Sequence, residues 1–274
     1  MKCFRYRSNR RVISLVLSVL ILSSGCSTLR PDQYARYGYK GDPIVKEGRP
    51  ILLVDWIGNL FGALSKLILW NWKVERHNIQ PDTEAALNDY LTAHPEMGNL
   101  AVQLNRYAPQ DAWHRLFHNS GVKWPYRYTF GILSVLILDT ILVNRIFGGD
   151  RYDPFTHTVY LQSDLPSIAL HELGHAKDFS GRRYRGSYAL LRIVPLTDLY
   201  QEYKASQIAF DHLRRGKNIK GEIEAYKILY PAYGTYAGSY LPLFGLGSIL
   251  GAIIGHIWGR SEARALERRA KFAS

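Results

Sequence analysis

The chain has 274 residues, of which 47% are hydrophobic, and a formal net charge of +12. This length and composition suit a globular protein with one sizeable core, or a core with added membrane-associated helices. The positive charge is moderate and unclustered, and no nucleic-acid-binding motif is present, so the sequence does not support nucleic-acid binding. Anionic lipid head groups are a more natural partner for the excess charge.

The start of the chain has the pattern of a bacterial export signal. Five Lys and Arg residues, with no acid among them, precede the apolar stretch VISLVLSVLIL, and SSGCST follows it. A Gly-Cys pair after such a stretch resembles the lipobox of bacterial lipoproteins, although Ser23 stands where leucine is commonest. The resemblance implies cleavage after residue 25 and lipidation of Cys26, for example with palmitate. An uncleaved signal anchor is the alternative interpretation.

Cysteine usage agrees with the lipoprotein interpretation. Cleavage would remove Cys3, so the mature chain would have no disulfide, and it would keep 30 Lys and Arg against 23 Asp and Glu, or +7. The protein would then be anchored in the cell envelope and face the periplasm. Ser27 resembles lipoproteins sorted to the outer membrane, which favours that membrane over the inner one. The polar, Gly- and Pro-containing residues 26–50 are predicted to form a tether.

Residues 51–150 are predicted to be a helical region with two apolar helices, at 51–70 and 130–147. More polar helices are expected between them. The few polar or small residues of the first apolar helix fall on one narrow stripe: Asp55, Asn59, Gly62 and Lys66. The second apolar helix carries Asp139 near its centre. Because an unpaired aspartate is costly in hydrocarbon, we favour core or interfacial helices over membrane spans.

The segment 236–274 is predicted to be a glycine-rich apolar helix followed by a basic tail. Its glycines recur at every fourth position: Gly247, Gly251, Gly255 and Gly259. This spacing creates a groove in which a second helix can pack closely. Two interpretations stay open, namely packing within a soluble core, and membrane insertion or self-association through the groove.

The stretch SIALHELGHAKDF, residues 167–179, places polar side chains in an otherwise apolar helix. His171 and His175 lie four residues apart, so they project from one helix face and can bind one metal ion. Zinc suits this pattern, because it takes nitrogen and oxygen ligands and keeps an open position in catalytic sites. Glu172 is rotated by about 100° from His171, where it can act as a general base beside the metal.

The surrounding residues predict a strand that leads into this helix. The stretch THTVYLQ, residues 156–162, alternates and is rich in β-branched and aromatic side chains. Ser163 and Asp164 offer a helix cap, and Pro166 suits an early helical position. Within the helix, Gly174 is expected to let another segment approach closely.

A strand followed by an HExxH helix resembles the zincin metallopeptidases, over about residues 155–210. The metzincin continuation is absent, since Asp178 and Gly181 stand where Gly and His are required. The gluzincin branch is more similar, and it implies a third zinc ligand on a downstream helix. Glu202, in DLYQEYKASQIAF, matches that ligand, and Ser206 stands where aspartate is commoner.

Several roles stay open. The other candidates for the third ligand are Asp178, Asp198 and His212. Asp178 and Ser206 are also candidates for contacts that orient the ligands. The donor that stabilises an oxyanion is not assigned, and the options are Tyr188, Tyr200, Tyr203 and His212. The resemblance further implies that the strand at 156–162 is a sheet edge that binds a substrate peptide by main-chain pairing.

These patterns predict a mainly α protein with a small β element (α+β), with a zincin-like core at 151–235 and extra apolar helices. The expected function is a lipid-anchored zinc peptidase that acts on envelope proteins or peptides. Glu172 would be the base, and the zinc ligands would be His171, His175 and Glu202. The first rival is a non-catalytic zinc-binding scaffold or assembly lipoprotein. The second rival is an inner-membrane protein with three spans.

Overall fold

The computed structural model describes residues 43–49, 51–147, 149–243 and 245–273. The predicted signal peptide, the lipidation site Cys26 and most of the predicted tether lie outside the described residues. The described part consists mainly of helices with one small mixed sheet, which confirms the predicted fold class. Its helices are, in chain order, α1 Leu52–Phe61, α2 Ala63–Leu69, α3 Pro81–Ala93, α4 Pro109–His118, α5 124–141, α6 Asn144–Phe147, α7 Pro166–Ser180, α8 Arg185–Leu190, α9 Thr197–Arg215, α10 Ile219–Ser239 and α11 Leu246–Ala273.

The sheet has four strands, and the predicted strand is an inner one. The strands are β1 Ile44–Glu47, β2 Ala101–Leu104, β3 Arg151–Asp153 and β4 Thr158–Leu161, in the spatial order β1-β2-β4-β3. β4 confirms the predicted strand, and it pairs in parallel with β2 and antiparallel with β3. The expectation that this strand is a substrate-binding edge is therefore wrong, because its backbone groups are already paired on both sides.

The first apolar run is a pair of helices rather than one. It breaks at Gly62, where a Cβ would lie 2.6 Å from a carboxylate oxygen of Glu75, and α1 and α2 meet there at 48°. The predicted polar stripe faces the protein. Asp55 forms an ion pair with Arg145 at 2.7 Å, and the buried Lys66 Nζ donates to Asn59 Oδ1 at 2.8 Å. Asp55 is thus paired with a cation and the Lys66 ammonium is hydrogen-bonded, both on the inner side of the run.

Membrane-crossing length was assessed for the described helices only. No single one of them is long and apolar enough to cross a bilayer, whereas the bent pair of α1 and α2 meets the requirement by length and composition.

The second apolar run, predicted as one helix over 130–147, is divided between the second half of α5 and the short helix α6, with a break at residues 142–143. α5 contains two π-helical stretches, Arg127–Gly131 and Val135–Ile141. Asp139 lies in the second stretch and is buried. Its carboxylate accepts a hydrogen bond from Arg151 Nη2 at 2.5 Å. The aspartate in this apolar helix therefore has the partner that burial of a charge demands.

The glycine groove is filled by a helix of the same chain. α10 and α11 form an antiparallel hairpin in which the glycines of α11 lie directly against the α10 backbone. Gly251 contacts Gly234, Gly247 contacts Gly238, and a Cβ at either α11 position would overlap a carbonyl group of α10. α11 begins at Leu246, so the first residues of the predicted run precede it. In the structure, the groove therefore serves helix packing within the chain.

Candidate metal centre

α7 begins at the predicted proline but takes its cap from a distant helix. Pro166 occupies the first turn, where its missing N–H costs nothing. The N-cap residue is Leu165, which has no side-chain acceptor. Instead, Glu224 on α10 accepts a hydrogen bond from the backbone N–H of Ser167 at 3.0 Å. A carboxylate at this helix end is stabilised by the backbone dipole.

Asp164 caps a different helix from the one predicted. Its Oδ1 accepts hydrogen bonds from the backbone N–H of Gln80 at 3.0 Å and from Thr83 Oγ1 at 2.9 Å. These two residues lie at the start of α3. The expectation that Ser163 and Asp164 cap α7 is therefore wrong. Ser163 is engaged elsewhere as well, because its backbone N–H donates to Asp150 Oδ1 at 2.9 Å.

Gly174 brings α9 close to the metal-site helix. A Cβ at this position would lie 2.5 Å from the backbone oxygen of Ala205. The small residue therefore sets a short distance between α7 and α9, as the sequence predicted. This close approach places Glu202, three residues before Ala205, opposite the histidines of α7.

The structure brings His171, His175 and Glu202 together. Each carboxylate oxygen of Glu202 lies near one histidine. Oε2 is 3.1 Å from His171 Nε2, and Oε1 is 3.3 Å from His175 Nε2. One donor atom from each residue lies within 4.8 Å of the other two, which is close enough to bind a single ion. Among the alternatives, Asp198 accepts from Tyr240 Oη at 2.5 Å, and His212 lies 3.2 Å from Asp89, so neither joins this group.

Charge and burial at the group favour an ionised carboxylate. Burial alone would raise the pKa of Glu202, but the charges and hydrogen bonds of His175 and His171 outweigh it and hold this pKa well below its ordinary value. Burial lowers the pKa of His175 to about 4, so its imidazole is neutral at pH 7. Burial would lower the pKa of His171, but the hydrogen bond and charge of Glu202 raise it above its ordinary value. The Glu202 carboxylate and the His175 imidazole are thus in the forms that bind metals, and His171 must release any proton it holds when an ion binds.

Ser206 lies behind the first histidine. Its Oγ is 3.2 Å from His171 Nδ1, within hydrogen-bonding distance of the ring nitrogen that faces away from Glu202. Such a partner fixes the orientation of a metal-binding histidine. Serine thus occupies the place for which the resemblance implied an aspartate.

Glu172 lines a cleft beside the three converging residues. This metal cleft has a volume of about 330 Å³. His171 and Glu202 line it too. Burial raises the pKa of the Glu172 carboxyl to about 7, and the negative charge of Glu202 contributes in the same direction. The group is therefore a carboxylate whose proton affinity is much higher than that of an exposed glutamate, which suits an acid–base role.

Arg192 and Tyr236 are residues of the centre that sequence reasoning missed. Arg192, in a single 3₁₀ turn after α8, donates from Nη2 to Glu202 Oε1 at 2.7 Å, and its Nη2 lies 3.4 Å from His175 Nε2. Tyr236 on α10 lines the cleft, and the charge of Glu202 raises the pKa of its hydroxyl. No sequence pattern links either residue to HELGH, since both reach the cleft only through tertiary packing.

The other predicted residues lie elsewhere. The Asp178 carboxylate accepts hydrogen bonds from Arg182 Nη2 and from Tyr188 Oη, both at 2.5 Å, so it braces the end of α7 and has no contact with the group. Tyr188 is thereby committed to Asp178. Tyr200 and Tyr203 are about half-exposed and do not line the metal cleft among the described residues.

Replacing Gly174 by alanine is expected to destabilise the fold and to weaken metal binding. The added methyl group would push Ala205 and the rest of α9 away, at a cost of about 1–3 kcal/mol for overpacking. Urea unfolding would measure this cost, and isothermal titration with zinc would measure the affinity. Gly216→Ala is the matched control, because a Cβ there would lie 3.5 Å from its nearest neighbour. Equal effects of the two variants would contradict the proposed role of the close approach.

Comparisons of the chain with protein-family models, with curated proteins and with solved structures found no match. The fold and the site alone define the class of this protein. It is a mainly helical chain with a small mixed sheet and a largely buried group of two histidines and one glutamate that could hold a metal ion.

Proposed function

We propose that this protein is a zinc-dependent peptidase, anchored to the bacterial envelope through lipid on Cys26 and acting on envelope proteins or peptides. The observation that carries the proposal is the convergence of the donor atoms of His171, His175 and Glu202 within 4.8 Å. The anchor and the periplasmic location are supported by the sequence pattern around Cys26.

The donor set fits zinc. Two imidazole nitrogens and one carboxylate oxygen match the ligands of known catalytic zinc sites, which leave a position for water. Ser206 supplies the support behind His171 that such sites need. Zinc held here would supply a Lewis acid that polarises the scissile carbonyl and lowers the pKa of water.

Glu172 moves the proton in the proposed hydrolysis. As the water oxygen forms its bond to the carbonyl carbon, the Glu172 carboxylate accepts the proton that the water releases. The carbon–nitrogen bond then breaks, and Glu172 passes this proton to the leaving amine. The raised pKa of Glu172, about 7, favours both halves of the transfer.

In the proposed mechanism, Arg192 and Tyr236 stabilise negative charge on the substrate carbonyl oxygen. Both border the group formed by the histidines and Glu202, and each carries a hydrogen-bond donor. Donors that face a developing oxyanion in a water-poor cleft contribute strongly to catalysis. The side chain of Arg192 is 35% exposed, so it is able to turn from Glu202 toward a bound substrate.

A non-catalytic zinc-binding scaffold is the second candidate, and Arg192 favours it. Its guanidinium bonds Glu202 and lies beside His175, so in this arrangement it is not directed at a substrate oxygen, as catalysis would require. This candidate predicts zinc binding with no turnover.

Metal removal tests the proposal directly. The purified full chain would be incubated with a mixture of synthetic peptides, and products would be identified by mass spectrometry. We expect cleavage that stops with 1,10-phenanthroline and returns when zinc is added, with no return on adding magnesium, which prefers oxygen ligands. Cleavage that persists in the chelator would refute a metal-dependent mechanism, and zinc binding without any cleavage would support the scaffold.

A further inference from the structure

A continuous apolar surface covers one side of the molecule. Along α1, α2 and the turn after α2, nine large side chains between residues 52 and 72 are more than half exposed: Leu52, Leu53, Trp56, Leu60, Phe61, Leu64, Leu67, Trp70 and Trp72. The first half of α11 adds a face of exposed residues at Leu246, Ile249, Leu250, Ile253, Ile254, Ile257 and Trp258. We call these residues together the apolar helix surface. Monomeric soluble proteins rarely expose so large a patch.

The two parts of the apolar helix surface adjoin each other. His256 on α11 lies 2.7 Å from the backbone oxygen of Ile68 on α2, and its ring stacks on Trp70 at 4.1 Å. The outer side of α1 and α2 carries no charge, because Asp55 and Lys66 are both bound on the inner side. The patch is therefore apolar throughout its helical part rather than a set of isolated side chains.

Tryptophan placement and charge favour a lipid bilayer as the occupant over a second protein. Four of the six tryptophans of the chain belong to the surface, and each is between 62% and 73% exposed. Tryptophan is enriched where proteins meet the membrane–water interface. Beyond Trp258, α11 turns basic, with five Lys and Arg against two Glu between 260 and 273, which suits anionic head groups. The predicted lipid at Cys26 also precedes α1 by only 26 residues.

An apolar groove connects this surface to the metal centre. The groove has a volume of about 660 Å³ and runs between α9, α10 and α11. It shares Ser206, Leu229 and Tyr233 with the metal cleft, and Ile254 and Trp258 of the apolar helix surface also line it. The inner sides of α2 and α11 also border the metal cleft itself.

We propose that the apolar helix surface lies on the lipid bilayer and that the groove guides an apolar, membrane-held polypeptide segment to the metal centre. The bilayer contact is independent of catalysis, whereas the substrate class rests on the proposed peptidase function. Seating α1, α2 and α11 at the interface removes their exposed side chains from water, and the metal cleft then opens next to the membrane surface.

Tryptophan fluorescence tests the bilayer contact. The full chain would be added to vesicles of phosphatidylcholine and phosphatidylglycerol, with or without bromine on the acyl chains. Residues 1–42 contain no tryptophan, so quenching by bromine reports on the folded body and not on the anchor. We expect loss of fluorescence on the brominated vesicles, and we expect Trp56→Phe combined with Trp258→Phe to remove much of that loss.

Trp113→Phe is the control, because this partly buried indole donates to Thr140 Oγ1 and lies outside the apolar helix surface. It should leave the quenching unchanged. Equal fluorescence on brominated and plain vesicles would overturn the bilayer contact. If the chain sediments as a homodimer without lipid, and brominated vesicles do not change its fluorescence, the apolar helix surface binds a second copy of the chain and the bilayer contact is overturned.

Paired peptides test the substrate class. The same synthetic peptide mixture would be supplied on vesicles with and without an N-terminal palmitoyl group. We expect cleavage of the palmitoylated form to be at least about tenfold faster, because membrane attachment raises its effective concentration at the groove. Ile254→Gln should reduce this preference, whereas Leu133→Gln, at an exposed leucine outside the groove, should not.

Equal rates for both peptide forms would refute the proposed substrate class and leave the proposed peptidase function intact. Quenching without any cleavage would refute the peptidase and leave the bilayer contact intact.

Discussion

The Glu202→Ala variant is expected to lose its zinc while it keeps its fold. The wild-type chain should bind about one zinc ion, since it offers three donors in the arrangement of catalytic sites. The variant keeps only His171 and His175, and two neutral imidazoles without a carboxylate bind zinc far more weakly. Arg192 would lose its acidic partner, but its side chain is 35% exposed, so water is able to solvate its charge. The fold should therefore survive.

Zinc content by plasma emission spectrometry and secondary structure by circular dichroism would measure the two parts of this result. Asp198→Asn is the matched control, because Asp198 lies on the same helix and was an alternative ligand from the sequence. Its carboxylate accepts from Tyr240 and the Leu199 backbone, so its loss should not change the zinc content. Full zinc content in Glu202→Ala, or zinc loss in Asp198→Asn, would show that the ligand set is assigned wrongly.

The Glu172→Gln variant is expected to lose turnover while it keeps its zinc. Glutamine has nearly the same shape as glutamate but cannot accept the proton from water. Loss of a general base typically lowers the rate by about 10²–10⁴-fold. Glu172 is not one of the three converging donors, so the zinc content should stay at the wild-type level.

Peptide hydrolysis followed by mass spectrometry, with zinc content measured on the same preparation, would check this separation of binding from chemistry. Glu84→Gln, an acid in the first turn of α3 that does not line the metal cleft, serves as the control and should leave both quantities unchanged. Wild-type turnover in Glu172→Gln would exclude Glu172 as the base. If neither wild type nor variant cleaves while both bind zinc, the scaffold function is favoured.

Local sequence patterns predicted the fold class and the convergence of the three donors. Residues four apart share one face of any helix, so the sequence predicted that His171 and His175 project from the same face. Pro166 and the apolar flanks predicted the helix α7 itself. Glu202 was found through the order of elements that the gluzincin resemblance implies. Gly174 also predicted the close approach of another segment, which the structure identifies as α9. The histidine pair, Pro166 and Gly174 lie within one helix, whereas Glu202 lies 31 positions from His171 and was reached only through the element order that the resemblance implies.

Contacts between distant segments were not predictable in the same way. Arg192 reaches Glu202 from a short turn, and Tyr236 reaches the cleft from α10, without a spacing rule that would have indicated either. Asp164 caps α3, which begins more than 80 residues earlier in the chain. Because Asp164 directly precedes α7, the sequence predicted a cap for α7 instead. The inner position of β4 depends on pairing with β2 and β3, and period-two alternation does not distinguish an inner from an edge strand.

The donor residues His171 and Glu202 are 31 positions apart and lie on two successive long helices. An ion that joins them would act as a cross-link, because it closes a chain loop that is open in the denatured ensemble. Binding to the native state alone also adds free energy that grows with the logarithm of metal concentration. The supply of metal in the surrounding compartment would thus regulate how long each copy of this protein resists proteolysis.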